Sequence, residues 1–194
     1  MDLGPIKITR KTGEERFVSK KELKKFSLVE FWQWSTSDLL TNTTRGILAE
    51  YIIATDLGIE KTFQNDWESY DLTSKNGLKI EVKSSAYIQT WQQTELSKIT
   101  YSIRPSKKYN PKINRFDGKP QRHSDFYIFC LLHHKDQETI NPLDLDQWIF
   151  YVLNTRTLDK ELPNQKTITL SSLLKLNPIE CEYGQINELI KNAI

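Results

Sequence analysis

The stretch YDLTSKNGLKIEVK, residues 70–83, decides how this chain folds. Asn-Gly between two runs of alternating polar and apolar residues is the strongest short-range signal for a β-hairpin. A two-residue loop at Asn76 and Gly77 would mix carboxylates with aliphatic side chains on both faces. A three-residue loop that starts at Lys75, with Gly77 in a left-handed bulge position, gives one coherent apolar face. We therefore predict the three-residue loop.

The three-residue loop brings two acids and a lysine to one face of the hairpin. Asp71 then lies opposite Glu81, with Cβ atoms about 4.5–5.5 Å apart, and Lys83 points to the same side. Two like charges at this distance repel, and a divalent cation between them would remove the conflict. The apolar face holds Tyr70, Leu72, Leu78, Ile80 and Val82, and the polar face holds Ser69, Asp71, Thr73, Lys79, Glu81 and Lys83.

These residue types indicate a hydrolytic metal site. Carboxylate oxygens suit Mg²⁺, with Mn²⁺ as the alternative ion. An ammonium at Lys83 could hold a nucleophilic water or the charge that develops on phosphorus. The alternative interpretation is an ordinary surface, because Glu-x-Lys is common on solvent-facing strands.

A further carboxylate lies upstream, in a helix-forming segment. Glu50 is the only charged residue between Gly46 and Ala54. The segment is apolar nearly all round, which predicts a buried helix, and a buried carboxylate needs a partner or a metal. Glu50 is therefore half of a salt bridge, with Arg45 or Lys83 available, or lies at a helix edge that reaches water, or is a further carboxylate of the metal site, bound directly or through water.

The order of Glu50 on a helix, Asp71 on a strand and Glu81-Val82-Lys83 on the next strand resembles the PD-(D/E)XK nuclease superfamily. The resemblance spans about residues 44–154. It implies a restriction-endonuclease-like α/β fold, which is a three-layer core with a mixed central β-sheet flanked by helices.

The same resemblance implies roles for individual residues. Asp71, Glu81 and the carbonyl of Val82 would bind Mg²⁺, Lys83 would assist the attacking water, and Glu50 would have an auxiliary metal role. The chain departs from the motif at Tyr70, which stands where the superfamily pattern has proline.

The remaining pattern fits an α/β layered fold. Helices are predicted at residues 20–34, after a capping-box spacing of Ser19 and Glu22, and at 45–56, 169–176 and 185–194. Strands are predicted at 67–73, 78–84, 100–104, 125–132 and 148–154, and the last two are typical of strands buried on both faces. Residues 107–122 are predicted to form an irregular loop. We divide the chain into an N-terminal helical arm, residues 1–43, and a nuclease-like domain, residues 44–194.

Basic residues are concentrated between Arg104 and Arg122, although the net charge is only +2. Such a segment can track a phosphate backbone, or it can be a solvated loop. The segment after Lys83 could contact sugar, phosphate or unstacked bases, or form a polar helix face. For Arg122, a structural ion pair with Asp125 is the alternative. The candidate nucleic-acid contacts are Ser84, Ser85, Gln89, Trp91, Gln92, Arg104, Lys107, Lys108, Arg115 and Arg122.

Together these features predict a Mg²⁺-dependent endonuclease that hydrolyses phosphodiester bonds, expected to act on DNA in restriction, defence or repair. The alternatives are a catalytically inactive nucleic-acid-binding module of the same fold and a small domain whose hairpin acids are surface decoration. The absence of a secretory signal, a membrane-length apolar run and a CxxC pair favours a cytoplasmic protein with reduced cysteines and no membrane partner. Double-strand cutting by so small a domain usually needs two copies, which makes a homodimer one expectation.

Overall fold

The computed structural model describes residues 6–61, 68–110 and 115–192. The chain divides into two compact units, Met1–Asp38 and Leu39–Ile194. No helix in the described part of the chain is long and apolar enough to cross a membrane.

The N-terminal unit contains a β-hairpin followed by a helix. Strands β1 (Arg16–Ser19) and β2 (Glu22–Ser27) pair antiparallel, and helix α1 spans Leu28–Thr36. The predicted helix at residues 20–34 is therefore wrong in its first half, residues 20–27. Lys20 and Lys21 adopt positive φ angles of 51° and 67°, which form the hairpin turn.

The capping box that begins α1 is formed by Ser27 and Glu30, farther along the chain than the predicted pair of Ser19 and Glu22. The Glu30 carboxylate accepts hydrogen bonds from the backbone N–H of Ser27 at 2.6 Å and from its hydroxyl at 2.9 Å. Ser27 and Glu30 have the same spacing as Ser19 and Glu22, so spacing alone did not identify which pair starts the helix.

The larger unit is built on a five-stranded mixed sheet. Its strands are β3 (Leu72–Thr73), β4 (Lys79–Ala86), β8 (Phe126–Leu132), β9 (Trp148–Asn154) and β11 (Ile179–Cys181). They lie in the order β11-β9-β8-β4-β3, with β4 parallel to β8 and every other neighbouring pair antiparallel. The predicted buried strands at residues 125–132 and 148–154 are confirmed as β8 and β9.

Helices cover both faces of this sheet. Helix α2 (Asn42–Asp56) and helix α5 (Ile186–Asn192) pack on the face that carries Ile80 and Val82. On the opposite face, Tyr127 and Phe129 pack with Leu158 and Leu173, which belong to helices α3 (Thr155–Glu161) and α4 (Leu170–Leu174). A two-stranded sheet of β5 (Thr100–Ser102) and β10 (Thr167–Thr169) lies in this second layer. The molecule is therefore a mixed α/β structure with a mixed sheet flanked by helices, as predicted.

The predicted three-residue hairpin loop is confirmed. Leu72 pairs with Ile80, and the Ser74 N–H donates to the Leu78 carbonyl at 2.9 Å. Gly77 has φ +80°, the left-handed conformation that the bulge position requires. Of the predicted strand at residues 67–73, only Leu72–Thr73 is regular strand, and residue 67 lies outside the described residues.

Helix α2 begins earlier than predicted and is less buried. Its N-cap is Thr41, whose hydroxyl accepts a hydrogen bond from the Thr44 N–H. Ile47 is 45 % exposed and Tyr51 is 54 % exposed, so the helix has a solvent face. The prediction of a helix buried all round is wrong, because apolar composition does not show which face lacks a packing partner.

The predicted loop at residues 107–122 is instead a β-ribbon. Strands β6 (Ser106–Asn110) and β7 (Arg115–Gln121) pair antiparallel as a separate two-stranded sheet. Every residue of β7 is exposed, so the ribbon has no burial pattern from which its strands could be predicted. We call this element the basic ribbon.

Candidate active site

Successive side chains of strand β4 point alternately into the core and toward the candidate site. Ile80 and Val82 point into the helix-covered core, and they are 0 % and 5 % exposed. Glu81 and Lys83 alternate with them and therefore point to the other face. Their ladder partners on β8 are Tyr127 and Phe129, so the polar groups lie against the edge of an aromatic layer.

The Lys83 ammonium lies between the two carboxylates that the hairpin register predicted to converge. Lys83 Nζ is 2.6 Å from Glu81 Oε1 and 3.8 Å from Asp71 Oδ2. The side chains of Asp71, Glu81 and Lys83 are 24 %, 18 % and 26 % exposed. The structure therefore brings these three predicted residues together in a half-buried site.

Asp71 is held by the backbone of the neighbouring strand. It lies one residue before β3, and its Oδ2 accepts a hydrogen bond from the Val82 N–H at 2.7 Å. Its own N–H donates to the Ile80 carbonyl at 3.0 Å. A carboxylate thus replaces a strand carbonyl in the ladder, which fixes the orientation of Asp71 toward Glu81.

Burial raises the pKa values of both acids, and repulsion from Asp71 raises the pKa of Glu81 further. For Asp71, burial raises the pKa, and the Lys83 charge and the Val82 N–H oppose this only in part. For Glu81, burial is the largest cause of the raised pKa, and the neighbouring Asp71 charge is the second. Burial lowers the pKa of Lys83, but the two carboxylates together outweigh it, so the net shift is upward. The site is therefore a desolvated group of two acids and one cation that shift one another's pKa values.

Glu50 lies within electrostatic reach of this group but does not join it in a tight cluster. It is half-buried on helix α2, and its charge contributes to the raised pKa of Lys83. In the described residues, no three His, Cys, Asp or Glu side chains form a group that could hold a metal ion. The structure thus brings together Asp71 and Glu81, with Glu50 outside the pair.

Arg45, predicted only as a possible ion-pair partner of Glu50, is buried and braces the end of β4. Arg45 is 3 % exposed, and its Nε donates to the Ser84 hydroxyl at 3.1 Å. Its other nitrogens donate to the Gln89 side-chain oxygen, the Leu40 carbonyl and the Asn42 side-chain oxygen. The partners bound by these hydrogen bonds are neutral, and burial lowers the pKa of the guanidinium. The sequence signal was available, since Arg45 lies on the same helix as Glu50.

A cavity of about 320 Å³ opens in front of the two acids. Part of its lining is Asp71 and Glu81, which we call the carboxylate wall. Another part is Lys107, Tyr109 and Phe116 from the basic ribbon, which we call the ribbon wall. The remaining lining residues are Glu68, Ser69, Tyr70 and Ser106. Acidic groups and a cation with two aromatic rings therefore face the same space.

The predicted nucleic-acid contacts fall into two groups. Ser85, Gln89 and Arg122 are buried, at 7 %, 7 % and 8 % exposed. Ser84 is half-buried and bonded to Arg45. The exposed candidates are Trp91, Gln92, Arg104, Lys107, Lys108 and Arg115.

The buried candidates have structural partners. Gln89 bonds to Arg45 and to the Ala86 carbonyl. Arg122 donates to Asp159 at 2.7 Å and to the Ile103 carbonyl at 2.9 Å, so its ion-pair partner is Asp159 and not Asp125. These side chains organise the interior and leave only the exposed candidates accessible to a substrate.

Residues 3–172 match the family model described as bacteriophage T4 endonuclease IV. The chain belongs to this endonuclease family. The matched region includes Asp71, Glu81, Lys83 and the basic ribbon. No curated protein matches the chain.

Membership of the endonuclease IV family confirms the nuclease prediction at the level of the reaction class. The protein is a nuclease, a hydrolase whose substrate is nucleic acid. The family does not by itself identify the reacting groups. Their identification depends on the geometry of the carboxylate wall.

Proposed function

We propose that the protein is a Mg²⁺-dependent endonuclease that hydrolyses phosphodiester bonds in DNA, with its active site at Asp71, Glu81 and Lys83. The observation that carries the proposal is the position of Lys83 Nζ between two half-buried carboxylates, at 2.6 Å and 3.8 Å. These groups line or adjoin a cavity that is also lined by Lys107, Tyr109 and Phe116 of the basic ribbon. Mn²⁺ is the alternative ion.

The residues present fit a divalent cation. Two carboxylates and one ammonium leave a net negative charge. Burial first and the Asp71 charge second raise the pKa of Glu81, so a cation at the pair would relieve this repulsion. Mg²⁺ commonly binds through one or two carboxylates and fills its remaining positions with waters and substrate phosphate. Asp71, Glu81 and the Val82 carbonyl would hold the ion, and Glu50 would have an auxiliary role. When bound, the ion would lower the pKa of a water and offset phosphate charge.

Lys83 is suited to hydrogen-bond donation. An ammonium has three N–H donors and no acceptor, and the contact with Glu81 at 2.6 Å favours this protonated form. Glu81 anchors one side of the ammonium, which leaves N–H donors for a water or a phosphate oxygen. A donor already in position costs little reorganisation when charge develops on the phosphoryl group.

The basic ribbon would bind the rest of the substrate. Lys107, Lys108, Arg115 and Lys119 are exposed along its two strands. Lysine and arginine contacts to phosphates supply most sequence-independent affinity for nucleic acid. The ribbon therefore places positive charge beside an acidic site that would otherwise repel DNA.

We further propose that the fold is the restriction-endonuclease-like fold of the PD-(D/E)XK superfamily. Three features support this: Glu50 lies on a helix packed against β4, Asp71 precedes a short strand antiparallel to β4, and Glu81-Val82-Lys83 lies within β4. The parallel pairing of β4 with β8 and the helices on both faces agree with the three-layer core that the superfamily implies.

Isosteric substitution of the two acids tests the proposal. We expect Asp71→Asn and Glu81→Gln each to lower the rate of DNA cleavage in Mg²⁺ by roughly 10²–10³-fold or more, the size typical of removing one preorganised catalytic group. Asp146→Asn is the matched control, because Asp146 is an exposed acid that does not line the cavity. Cleavage of labelled DNA and Mg²⁺ binding by calorimetry are measured for all four proteins.

Two results would contradict the proposal. If Asp71→Asn cleaves DNA as fast as the wild type, the active site is not at Asp71. If the wild type cleaves DNA equally fast in EDTA, the reaction does not depend on a metal ion. Salt-sensitive DNA binding without cleavage in either Mg²⁺ or Mn²⁺ would favour an inactive binding module of the same fold.

A further inference from the structure

The aromatic part of the ribbon wall is not explained by phosphate binding. Tyr109 and Phe116 pair across the basic ribbon, with ring centroids 5.7 Å apart and an interplanar angle of 68°. Phe116 is 70 % exposed. One exposed phenylalanine is ordinary on a protein surface, but this one lines the same cavity as the two acids.

The contact with Tyr109 leaves most of the Phe116 side chain exposed. In an edge-to-face contact the rings do not cover each other, so the exposed Phe116 ring can accept a further planar group. Every nucleobase has a π-face, and stacking on an aromatic side chain is sequence-tolerant. Lys107 lies in the same wall and supplies a charge for the adjoining phosphate.

The two walls also differ in what they can recognise. The carboxylate wall can interact with a phosphodiester only through a cation or through Lys83, and it offers no surface to a base. In a nucleotide the base is joined to the phosphate through the sugar, so a phosphate held at Asp71 and Glu81 brings a base into the same cavity. At about 320 Å³, the cavity is at the lower end of the range for small-ligand sites.

We propose that Phe116, supported by Tyr109, stacks on a nucleobase next to the phosphodiester bond held at the carboxylate wall. Phe116 is then a positioning residue for the proposed reaction, since it contacts the substrate away from the reacting atoms. This inference rests on the proposed function for the identity of the bond. Its binding step does not require a metal or cleavage.

A combined protein and substrate scan tests the stacking contact. Labelled DNA oligonucleotides carry one abasic tetrahydrofuran residue at each position in turn, and their dissociation constants are measured by fluorescence anisotropy in EDTA. For the wild-type protein we expect an abasic residue at one position to weaken binding by about tenfold or more, the low-to-middle range for a base stacked on an aromatic ring. In Mg²⁺, that position should adjoin the bond that is cut.

Substitutions of Phe116 separate stacking from simple contact. Phe116→Ala should weaken binding of the intact oligonucleotide by about tenfold and should abolish the additional penalty at the abasic position. Phe116→Trp should retain both the affinity and the penalty, whereas Phe116→Leu should behave like Phe116→Ala. Tyr51→Ala is the control, because Tyr51 is an exposed aromatic on helix α2 that does not line the cavity. Circular dichroism verifies that each variant is folded.

The outcomes distinguish this inference from the proposed function. An identical abasic penalty in wild type and Phe116→Ala, or full affinity in Phe116→Leu, overturns the stacking contact. If Asp71→Asn abolishes cleavage while the Phe116 variants bind normally, the active site stands and the stacking contact fails. If the abasic scan behaves as expected but the wild type cleaves in neither Mg²⁺ nor Mn²⁺, the stacking contact stands and the proposed function fails.

Discussion

One wall of the cavity is carried by the central sheet, whereas the other is carried by a ribbon whose two strands pair only with each other in the described part of the chain. Asp71 and Glu81 are half-buried, bonded to the strand backbone or to Lys83, and backed by core residues. Phe116 and its ribbon neighbours are exposed. Groups that need precise orientation therefore lie on the rigid element, and groups that need only contact area and charge lie on the exposed one.

The difference between the walls should appear first in the kinetics. Lys83→Ala should lower kcat by roughly 10²–10³-fold. It should change the dissociation constant for DNA in EDTA little, because Asp71 and Glu81 already neutralise the Lys83 charge in part. Lys107→Ala should leave kcat within a few-fold of wild type and raise KM, because it removes one phosphate contact. Steady-state cleavage of labelled DNA measures both.

The comparison fails if the two variants behave alike. A Lys107→Ala variant with a large loss of kcat and an unchanged KM would mean that the ribbon takes part in the chemical step. A Lys83→Ala variant with unchanged kcat would mean that the ammonium only pairs the two acids.

The second difference between the walls is in stability. Arg45→Met should lower the free energy of unfolding by roughly 2–4 kcal/mol, because buried partners such as the Gln89 side-chain oxygen lose their donor. Phe116→Ala should change it by less than about 0.5 kcal/mol, because the ring is mostly exposed. Urea denaturation followed by circular dichroism provides both values. Equal midpoints for the two variants would show that Arg45 does not brace β4.

The same difference explains what could be predicted from the sequence. The hairpin register, the buried strands β8 and β9 and the convergence of Asp71 with Glu81 followed from turn chemistry and from alternation of apolar residues. Both signals exist because one face of each strand is buried. The basic ribbon has no buried face, so its strands left no such pattern and were predicted as a loop.

Side-chain networks were also beyond the reach of sequence patterns. Arg122 pairs with Asp159, which is 37 positions away, and Arg45 bonds to Gln89, which is 44 positions away. Neither distance is fixed by local propensity, since each depends on how layers pack. For the same reason the sequence could name Glu50 as a candidate but could not determine its distance from the other two acids.

The smallest expected effect is a dependence of stability on pH, which should come from the two acids of the carboxylate wall and not from the ribbon wall. Because the pKa values of Asp71 and Glu81 are raised in the folded protein, the folded state binds protons more tightly than the unfolded chain. Their contribution to stability is complete below the ordinary carboxyl pKa of about 4, and it is lost as pH rises through the raised values. The raised pKa of Lys83 adds a term that is constant over this acidic window.

Metal-free protein should therefore lose part of its stability as pH rises from about 4 toward neutral, and Asp71→Asn should show a weaker loss. The substitution removes one of the two titrating acids and the charge that helps to raise the pKa of Glu81. Added Mg²⁺ should restore stability to the wild type above this window and do little for Asp71→Asn. Urea midpoints across pH in EDTA, and again in Mg²⁺, test this, with Asp146→Asn as the control. If wild type and Asp71→Asn have parallel pH profiles, the two acids do not form a strained pair, and the electrostatic argument for a cation between them is lost.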